Sequence, residues 1–407
     1  MAEVSDQRSH LLSLPPEIRE QIYRLILDPA ANKFAHPNEY YHYNYEAALP
    51  LFRINRQIYY EARKIFRDLN RFVRVETPWP QAADHVALEG HVPIVISGPK
   101  AQQFQGHVMN VAISAPEYPE MGDYKERFHI LAEDVEKFAK VWSYGGLSHP
   151  GMNPHLRLDL QLRDPYTPEY EEKRMSKQLQ QQLLFPFGGV KDLAEFNITG
   201  DSKPLASIVT EVRELQKQPY PSPEHCLRET IRHKDEGNAA LKAGNYCEAI
   251  SLYHQAWEAM HIIIKGRKRH IHGDAFFARE LREEPFIGKS AQRERLILRV
   301  TLVANTCLVY LKLEDYEECL FWGMRTINML RDAMGVEEDT VLSAEDEAVL
   351  QFPAAAQMGK IYYRCALAHK YMDDKSEARR LLRVAREYLP HDKAVAEEIA
   401  ACALRIG

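Results

Sequence analysis

A pair of small residues seven positions apart recurs three times in the C-terminal half of this 407-residue chain. Seven residues are close to two α-helical turns, so the members of each pair share one helical face. Small side chains on one face let two helices approach closely, and the recurrence therefore predicts three stacked helix pairs. The segments are KDEGNAALKAGNYCEAISLYHQAWEAM (234–260) with Ala249 and Ala256, NTCLVYLKLEDYEECLFWGMRTINML (305–330) with Cys319 and Thr326, and KIYYRCALAHKYMDDKSEARRLLRVAREYLP (360–390) with Ala378 and Ala385.

These three units resemble the tetratricopeptide repeat, a unit of about 34 residues that forms two antiparallel helices. The resemblance implies an all-α superhelix over residues 229–407, with repeats at 230–263, 300–333 and 359–392 and a cap helix at 393–406. Insertions near 264–299 and 334–358 either lengthen the flanking helices or form loops. The residues that carry the resemblance are Gly237, Tyr246, Ala249, Tyr253, Ala256, Tyr310, Tyr316, Ala378, Ala385 and Pro390.

Polar side chains occur on the first helix of each unit, which in stacked repeats lines a concave groove. Lys234 and Asn238 share one face, Asn305 lies inside the apolar run LILRVTLVANTCLVYL, and Lys360 and Arg364 again share a face. A buried asparagine costs stability unless it is hydrogen-bonded, and a lysine stacked on an arginine repels it unless an anion lies between them. Ammonium, guanidinium and amide groups together indicate a site for one or two carboxylates.

The same five residues resemble the two-carboxylate clamp of co-chaperone tetratricopeptide domains. In that family the clamp reads K-x-x-x-N on the first helix, N on the third and K-x-x-x-R on the fifth, which matches Lys234, Asn238, Asn305, Lys360 and Arg364. The resemblance implies that the groove binds the C-terminal EEVD tail of Hsp90 or Hsp70, since capture of a free C-terminus is a known recognition mode. Candidates for the apolar pocket that would choose between these chaperones are Tyr253, Ala304 and Leu308.

The N-terminal half has a different pattern. Short apolar runs that end in Pro or Gly predict strands in HVPIVISGP (91–99), HVMNVAISAP (107–116), HLRLDLQLRDP (155–165) and LAEFNITG (193–200). Between them, FHILAEDVEKFAKVWSYGG (128–146) predicts a helix. We therefore expect an α+β domain over residues 1–214, joined to the helical domain by a proline-bearing linker at 215–228.

Two amphipathic segments open this half. LLSLPPEIREQIYRLIL (11–27) carries an apolar stripe of Ile18, Ile22, Leu25 and Ile26, and LFRINRQIYYEARKIFRDLNRF (51–72) predicts a second helix. LPPEI followed by IYRLIL and then FRINRQIYYEA resembles the F-box-like domain that begins many fungal proteins. That resemblance covers residues 11–75 well and extends loosely to 200. It implies binding to the ubiquitin-ligase adaptor Skp1 through Leu14, Pro15, Ile18, Ile22 and Leu25.

Composition narrows the class of protein. A net charge of −6 argues against bulk binding to nucleic acid or membrane surfaces. The six cysteines form no CxxC pair and the N-terminus lacks the apolar core of a signal peptide, so we expect free thiols and a cytoplasmic, or else nuclear, location. The sequence holds no phosphate-binding loop, nucleophile elbow or HExxH motif, and we expect neither catalysis nor a metal or other cofactor.

The leading hypothesis is a non-enzymatic adaptor that holds the C-terminus of Hsp90 or Hsp70 and couples chaperone clients to a Skp1–cullin ubiquitin ligase. The alternative is a structural scaffold whose repeats bind an unrelated protein segment and whose box makes no Skp1 contact. A third possibility is a hydrolase within residues 76–210, which no sequence motif supports.

Overall fold

The protein consists of two compact units in a computed structural model that describes residues 11–36, 40–118, 125–337, 340 and 342–402. The first unit comprises residues 1–220 and 265–273, and the second comprises residues 221–264 and 274–407. The division at Tyr220 and Pro221 lies inside the segment predicted as a linker, whereas no sequence pattern predicts that residues 265–273 join the first unit. Of the helices in the described residues, none is long and apolar enough to cross a membrane.

The first unit is built on a mixed six-stranded sheet. Its strand order is β4-β6-β3-β5-β7-β8, in which β3 with β5 and β7 with β8 are parallel pairs and the other neighbours are antiparallel. The strands of this unit are β1 Lys33–Ala35, β2 Tyr41–Tyr43, β3 Phe72–Thr77, β4 Ile96–Ser97, β5 His107–Ser114, β6 Glu126–Leu131, β7 Arg157–Leu162 and β8 Glu195–Gly200. The first two form a separate antiparallel pair.

Helices bury one face of this sheet. Inward-facing residues of the strands, such as Val75, Val111, Phe128 and Leu160, form one core with apolar residues of the helices. The alternation of inward and outward residues along β7 is the period of two that its sequence predicts. The helices of the first unit are α1 Pro16–Leu27, α2 Arg56–Leu69, α3 Ala82–Gly90, α4 Pro99–Gln103, α5 Val135–Ser148, α6 Lys177–Leu184 and α7 Ala206–Lys217.

The structure corrects three sequence-based assignments. The segment predicted as a helix from residue 128 begins as strand β6, because Phe128 and Ile130 both point into the core with the period of a strand, and helix α5 starts only at Val135. The helix predicted over 51–72 is α2 alone, which begins after Asn55 and ends at Leu69, and β3 starts at Phe72. The run 91–99 contributes only the two-residue strand β4.

The box formed by α1 and α2 buries the side of α1 that lies opposite the apolar stripe of Ile18, Ile22, Leu25 and Ile26. Tyr23 and Leu27 of α1 pack with Ile58, Ala62 and Ile65 of α2 in a small core. The stripe on the other side of α1 remains largely open to solvent: Ile18 is 40%, Leu25 73% and Ile26 38% exposed. The apolar stripe read from the sequence is therefore a surface feature of the box.

The second unit is mainly helical. Three antiparallel helix pairs, α8 with α9, α11 with α12 and α14 with α15, follow one another along the chain. Its helices are α8 Pro223–Lys242, α9 Tyr246–Ala259, α10 Asp274–Phe277, α11 Ala291–Lys312, α12 Tyr316–Ala333, α13 Ala344–Glu347, α14 Ala355–Tyr371, α15 Lys375–Tyr388 and α16 Lys393–Ala401. Between α9 and α10 the chain forms a hairpin of β9 Ile262–Lys265 and β10 Lys268–Ile271, most of which falls in the segment 265–273 of the first unit. The end of the predicted cap helix, residues 403–406, lies outside the described residues.

Both insertions contain structure of their own. Helix α11 begins at Ala291, so the first insertion lengthens it and otherwise forms the hairpin, α10 and loops. The second insertion carries α13, whose Glu347 is 1% exposed. The Glu347 carboxylate accepts hydrogen bonds from Tyr362 at 2.9 Å and Arg380 at 2.9 Å and pairs with Arg331 at 3.3 Å. This buried carboxylate joins the insertion to α12, α14 and α15.

Candidate functional site

The first helices of the three pairs meet at the predicted clamp residues. Asn305 of α11 donates a hydrogen bond from Nδ2 to Oδ1 of Asn238 on α8, over 2.8 Å. Arg364 of α14 donates from a terminal guanidinium nitrogen to the backbone carbonyl of Ala304, the residue that precedes Asn305. Three of the five residues are thus joined through α11, although they are separated by as many as 126 positions in the chain.

Tyr253 fixes the orientation of the Asn238 amide. Its hydroxyl donates to Asn238 Oδ1 over 2.9 Å, so that oxygen accepts two hydrogen bonds. The ring reaches this position because Gly237 lacks a side chain: a Cβ there would lie 2.5 Å from Cε1 of Tyr253. With Oδ1 occupied, Asn238 Nδ2 has two hydrogens and no acceptor within the described residues.

Arg364 is a cation without an acidic partner among the described side chains. Burial lowers its pKa, and the groups that act on it electrostatically are Cys307, Cys319, Tyr253 and Cys365 rather than a carboxylate. The same burial raises the pKa of Tyr253 to about 12, and the nearby Arg364 opposes that rise. A guanidinium in such surroundings binds an incoming anion more strongly than an exposed one would.

The two lysines lie one helical turn from the other clamp residues on their helices. Lys234 precedes Asn238 on α8 and pairs with the adjacent Asp235 at 3.0 Å; its side chain is 18% exposed and that of Asp235 is 61% exposed. Lys360 precedes Arg364 on α14, is exposed, and makes no ion pair with any described residue. Because Asp235 is open to solvent, this pair contributes on the order of 1 kcal/mol, and it leaves the ammonium able to bind a ligand.

The three residues predicted to form an apolar peptide pocket differ in exposure. Tyr253 and Ala304 are each only 1% exposed and cannot offer apolar surface to a peptide. Both instead position clamp residues, Tyr253 through its hydroxyl and Ala304 through its carbonyl. Leu308, half-buried one turn after Ala304, keeps surface for such a contact.

The arrangement offers hydrogen-bond donors and positive charge. Asn238 Nδ2, the second hydrogen on Asn305 Nδ2 and the guanidinium of Arg364 would serve an acceptor with two oxygens, and the two lysines would add charge. In the part of the chain that is described, no cluster of three His, Cys, Asp or Glu side chains is arranged to hold a metal ion. The donor set therefore suits a carboxylate better than a cation.

Tyr253 and Ala304, which the sequence predicts as apolar pocket residues, contribute polar groups to this site instead, and neither of these groups has a clear sequence signal. The Ala304 carbonyl is a backbone group, and any residue at that position would present it. The Tyr253 hydroxyl lies on the second helix of its pair, where a tyrosine reads as core. Its position opposite Gly237 in the helix pair is the one hint that could have identified it.

Comparison with known proteins gives a limited result. The chain matches no protein-family profile. Among solved structures it is similar to the C-terminal TPR-containing domain of an FK506-binding protein from Plasmodium falciparum. That match has 15% sequence identity and a TM-score of 0.29, and it covers 45% of this chain and 91% of the other.

Proposed function

We propose that this protein is a non-enzymatic adaptor whose helical unit binds the free C-terminus of another protein through a tetratricopeptide-type clamp. The observation that carries the proposal is the contact of Asn305 with Asn238, with Arg364 bound to the residue beside Asn305 and lacking an acidic partner among the described residues. The ligand that best fits two amides and three cations is a chain end with two neighbouring carboxylates. The EEVD terminus of Hsp90 or Hsp70 has that chemistry.

The test is a calorimetric titration of the full chain with an EEVD-ending peptide, compared with the same peptide amidated at its C-terminus. Each charge-assisted hydrogen bond contributes about 1.5–3 kcal/mol, so amidation should weaken binding at least about tenfold. Arg364→Ala or Lys360→Ala should weaken the free acid by a similar factor. Lys375→Ala is the matched control, because this exposed lysine lies on a second helix and, among the described residues, pairs only with Asp373.

The outcomes separate two functions. Equal affinity for the acid and the amide would exclude the clamp and favour a scaffold that binds an internal protein segment. If Lys375→Ala weakens peptide binding as much as Lys360→Ala does, the affinity depends only on the overall charge of the protein.

We further propose that the box contacts Skp1 through the solvent-facing side of α1. The support is that Ile18 and Leu25 remain exposed while the opposite side of the helix fills the core of the box. Leu14 and Ile22 are half-buried and Pro15 is exposed along the same segment. An apolar surface of this kind is typical of a protein-binding site.

Co-purification with Skp1 tests the proposed contact through α1. Ile18→Asp should abolish it while the melting temperature stays close to that of the parent, because the side chain is already 40% exposed. Tyr170→Asp, at a position that is 87% exposed elsewhere in the first unit, controls for an added negative charge. Absence of Skp1 from the parent preparation would leave the box as a structural element only.

A further inference from the structure

The first unit contains a cavity of about 610 Å³ that neither the clamp nor the box uses. It lies between helices α3 and α5, above the ends of strands β3, β5 and β6, and its floor includes Thr77, Ile113 and Phe128. Sites that hold drug-sized molecules have volumes of about 300–1,000 Å³. The cavity is therefore large enough for a small organic molecule.

One close contact between the two helices bounds the cavity. At Gly90, the last residue of α3, a Cβ would lie 2.5 Å from Cγ2 of Val141 on α5, so only glycine permits this approach. Toward the other ends of the helices the wall is formed by Ala82 and by Gly145. A Cβ at Gly145 would meet only Cε of Met152, at 3.9 Å, so the space beside this glycine is open.

Aromatic rings form much of the wall. Phe138 stands edge-on to Phe128 and to Trp142, with 6.3 Å between ring centroids in each pair. Trp142 satisfies its indole N–H by donating to Asn153 over 3.1 Å, so it presents apolar surface to the cavity. Trp79, which is half-buried, adds a second indole. Faces and edges of this kind favour a flat apolar body.

The charges at the mouth are acidic. Asp84 and Glu89 are among the lining residues, and none of the described lining residues is Lys or Arg. His85 lies 3.4 Å from Glu89, whereas Asp84 is exposed and makes no ion pair with the described residues. Indole faces also attract cations. An anionic ligand is disfavoured here, and a cationic end group is favoured by both Asp84 and the tryptophans.

We propose that this cavity is a binding site for a cationic amphiphile, a small molecule with a flat aromatic body and an ammonium-type end group. The body occupies the space between α3 and α5, and the cation lies at the mouth near Asp84. This site is independent of the clamp and of the box, and its test does not involve either partner.

The experiment titrates the full chain by calorimetry with three ligands that share one body: 2-(2-naphthyl)ethylammonium, 2-(2-naphthyl)ethanol and 2-naphthylacetate. We expect the ammonium to bind most tightly and the carboxylate about tenfold or more weakly, since Asp84 and Glu89 attract the ammonium and repel the carboxylate. Gly145→Leu fills the open space and should abolish binding of all three. Gly145→Ala, its matched control, should retain binding.

A second variant keeps the proposal testable if Gly145→Leu does not fold. Asp84→Lys changes an exposed residue at the mouth and leaves the cavity volume unchanged, and it should reduce the preference for the ammonium over the carboxylate about tenfold. The proposal is overturned if none of the three ligands binds, if the carboxylate binds as tightly as the ammonium, if a folded Gly145→Leu protein retains the parent affinity, or if Asp84→Lys leaves the preference unchanged.

Discussion

Asn238 illustrates how neighbouring hydrogen bonds decide which end of an amide faces a ligand. Its oxygen accepts from Tyr253 and from Asn305, and this leaves its nitrogen as the end available for donation. A carboxylate needs donors, so the orientation matters as much as the presence of the residue. Removing either donor to Oδ1 should let the amide rotate and present its oxygen instead.

Tyr253→Phe tests this orientation. The substitution removes one hydrogen bond, which contributes about 1 kcal/mol, and keeps the ring against Gly237. We expect the affinity for an EEVD-ending peptide to fall about fivefold, with a loss of unfolding free energy below about 1.5 kcal/mol. Calorimetry and denaturant unfolding measure the two effects. Tyr246→Phe, in the same helix and without a hydroxyl hydrogen bond among the described residues, should leave the affinity unchanged.

Residue spacing predicts part of this site. The intervals between Lys234 and Asn238 and between Lys360 and Arg364 place each pair on one helical face, and both pairs lie on the helices where they were expected. The bonds that set the site's geometry come from other helices, through the Tyr253 hydroxyl and the Ala304 carbonyl. Spacing along one helix contains no information on such contacts.

At the scale of elements, the turn between the two helices of each pair has the same backbone geometry three times. One residue is left-handed in each: Gly244 with φ of 83°, Glu314 with φ of 60° and Asp373 with φ of 63°. The residue after it begins the second helix as its N-cap, and Asp315 and Asp374 accept hydrogen bonds from the backbone of Glu318 and Glu377. The left-handed conformation costs a residue other than glycine roughly 1–2 kcal/mol.

Exchanging residues between these equivalent turns should change stability in opposite directions. Glu314→Gly relieves the left-handed strain and should raise the free energy of unfolding by up to about 1 kcal/mol, after the greater entropy of glycine in the unfolded chain is deducted. Gly244→Ala introduces the left-handed strain and causes no clash, since no atom lies within 4 Å of the new Cβ. It should therefore lower the free energy of unfolding by a similar amount. Denaturant melts of both variants against the parent provide the measurement. Changes of the same sign would contradict the interpretation.

The elements themselves could be predicted where one period persists over many residues. The small residues at Ala249, Cys319 and Ala378 are completely buried, as their recurrence in the sequence requires. The sequence pattern does not reveal strand β6, because the strand is only six residues long and a helix follows it within a few residues, so its alternation is lost in the longer helical pattern. The apolar stripe of α1 does not identify the buried side of that helix, because its side chains largely face solvent, whereas Arg19 is buried and pairs with Glu61 at 2.7 Å.

At the scale of the whole molecule, the first unit holds His91, His107 and His129 in surroundings that oppose their protonation. Burial is the main cause of the lowered pKa of each histidine. Nearby arginines lower the pKa further at His107 and His129, and His270 and two lysines do so at His91. The pKa is lowered to about 3 for His107, about 4 for His129 and about 4 for His91. His129 is fully buried, and neither of its ring nitrogens has a hydrogen-bond partner in the described part of the chain.

This depression predicts that acid destabilises the first unit. Because the folded pKa lies below the unfolded value near 6.5, the unfolded chain binds more protons between those values, and stability falls as the pH drops from about 6.5 toward 4. For His129 the loss is on the order of 3 kcal/mol. Denaturant unfolding at pH 7 and pH 4.5 should show the loss, and His129→Leu should reduce the difference between the two pH values. An unchanged difference would mean that this histidine is accessible to protons in the folded state.

The return of residues 265–273 to the first unit has a practical consequence for dividing the chain. In that segment Gly273 donates to Ser148 Oγ over 2.8 Å, and the rings of His270 and His272 lie 5.2 Å and 5.5 Å from those of His91 and Tyr144. A single cut at residue 220 would therefore yield an N-terminal piece that lacks residues 265–273. The C-terminal piece would carry this segment without the residues that it packs against. Expression of the helical half alone calls for replacing these nine residues with a short flexible connection.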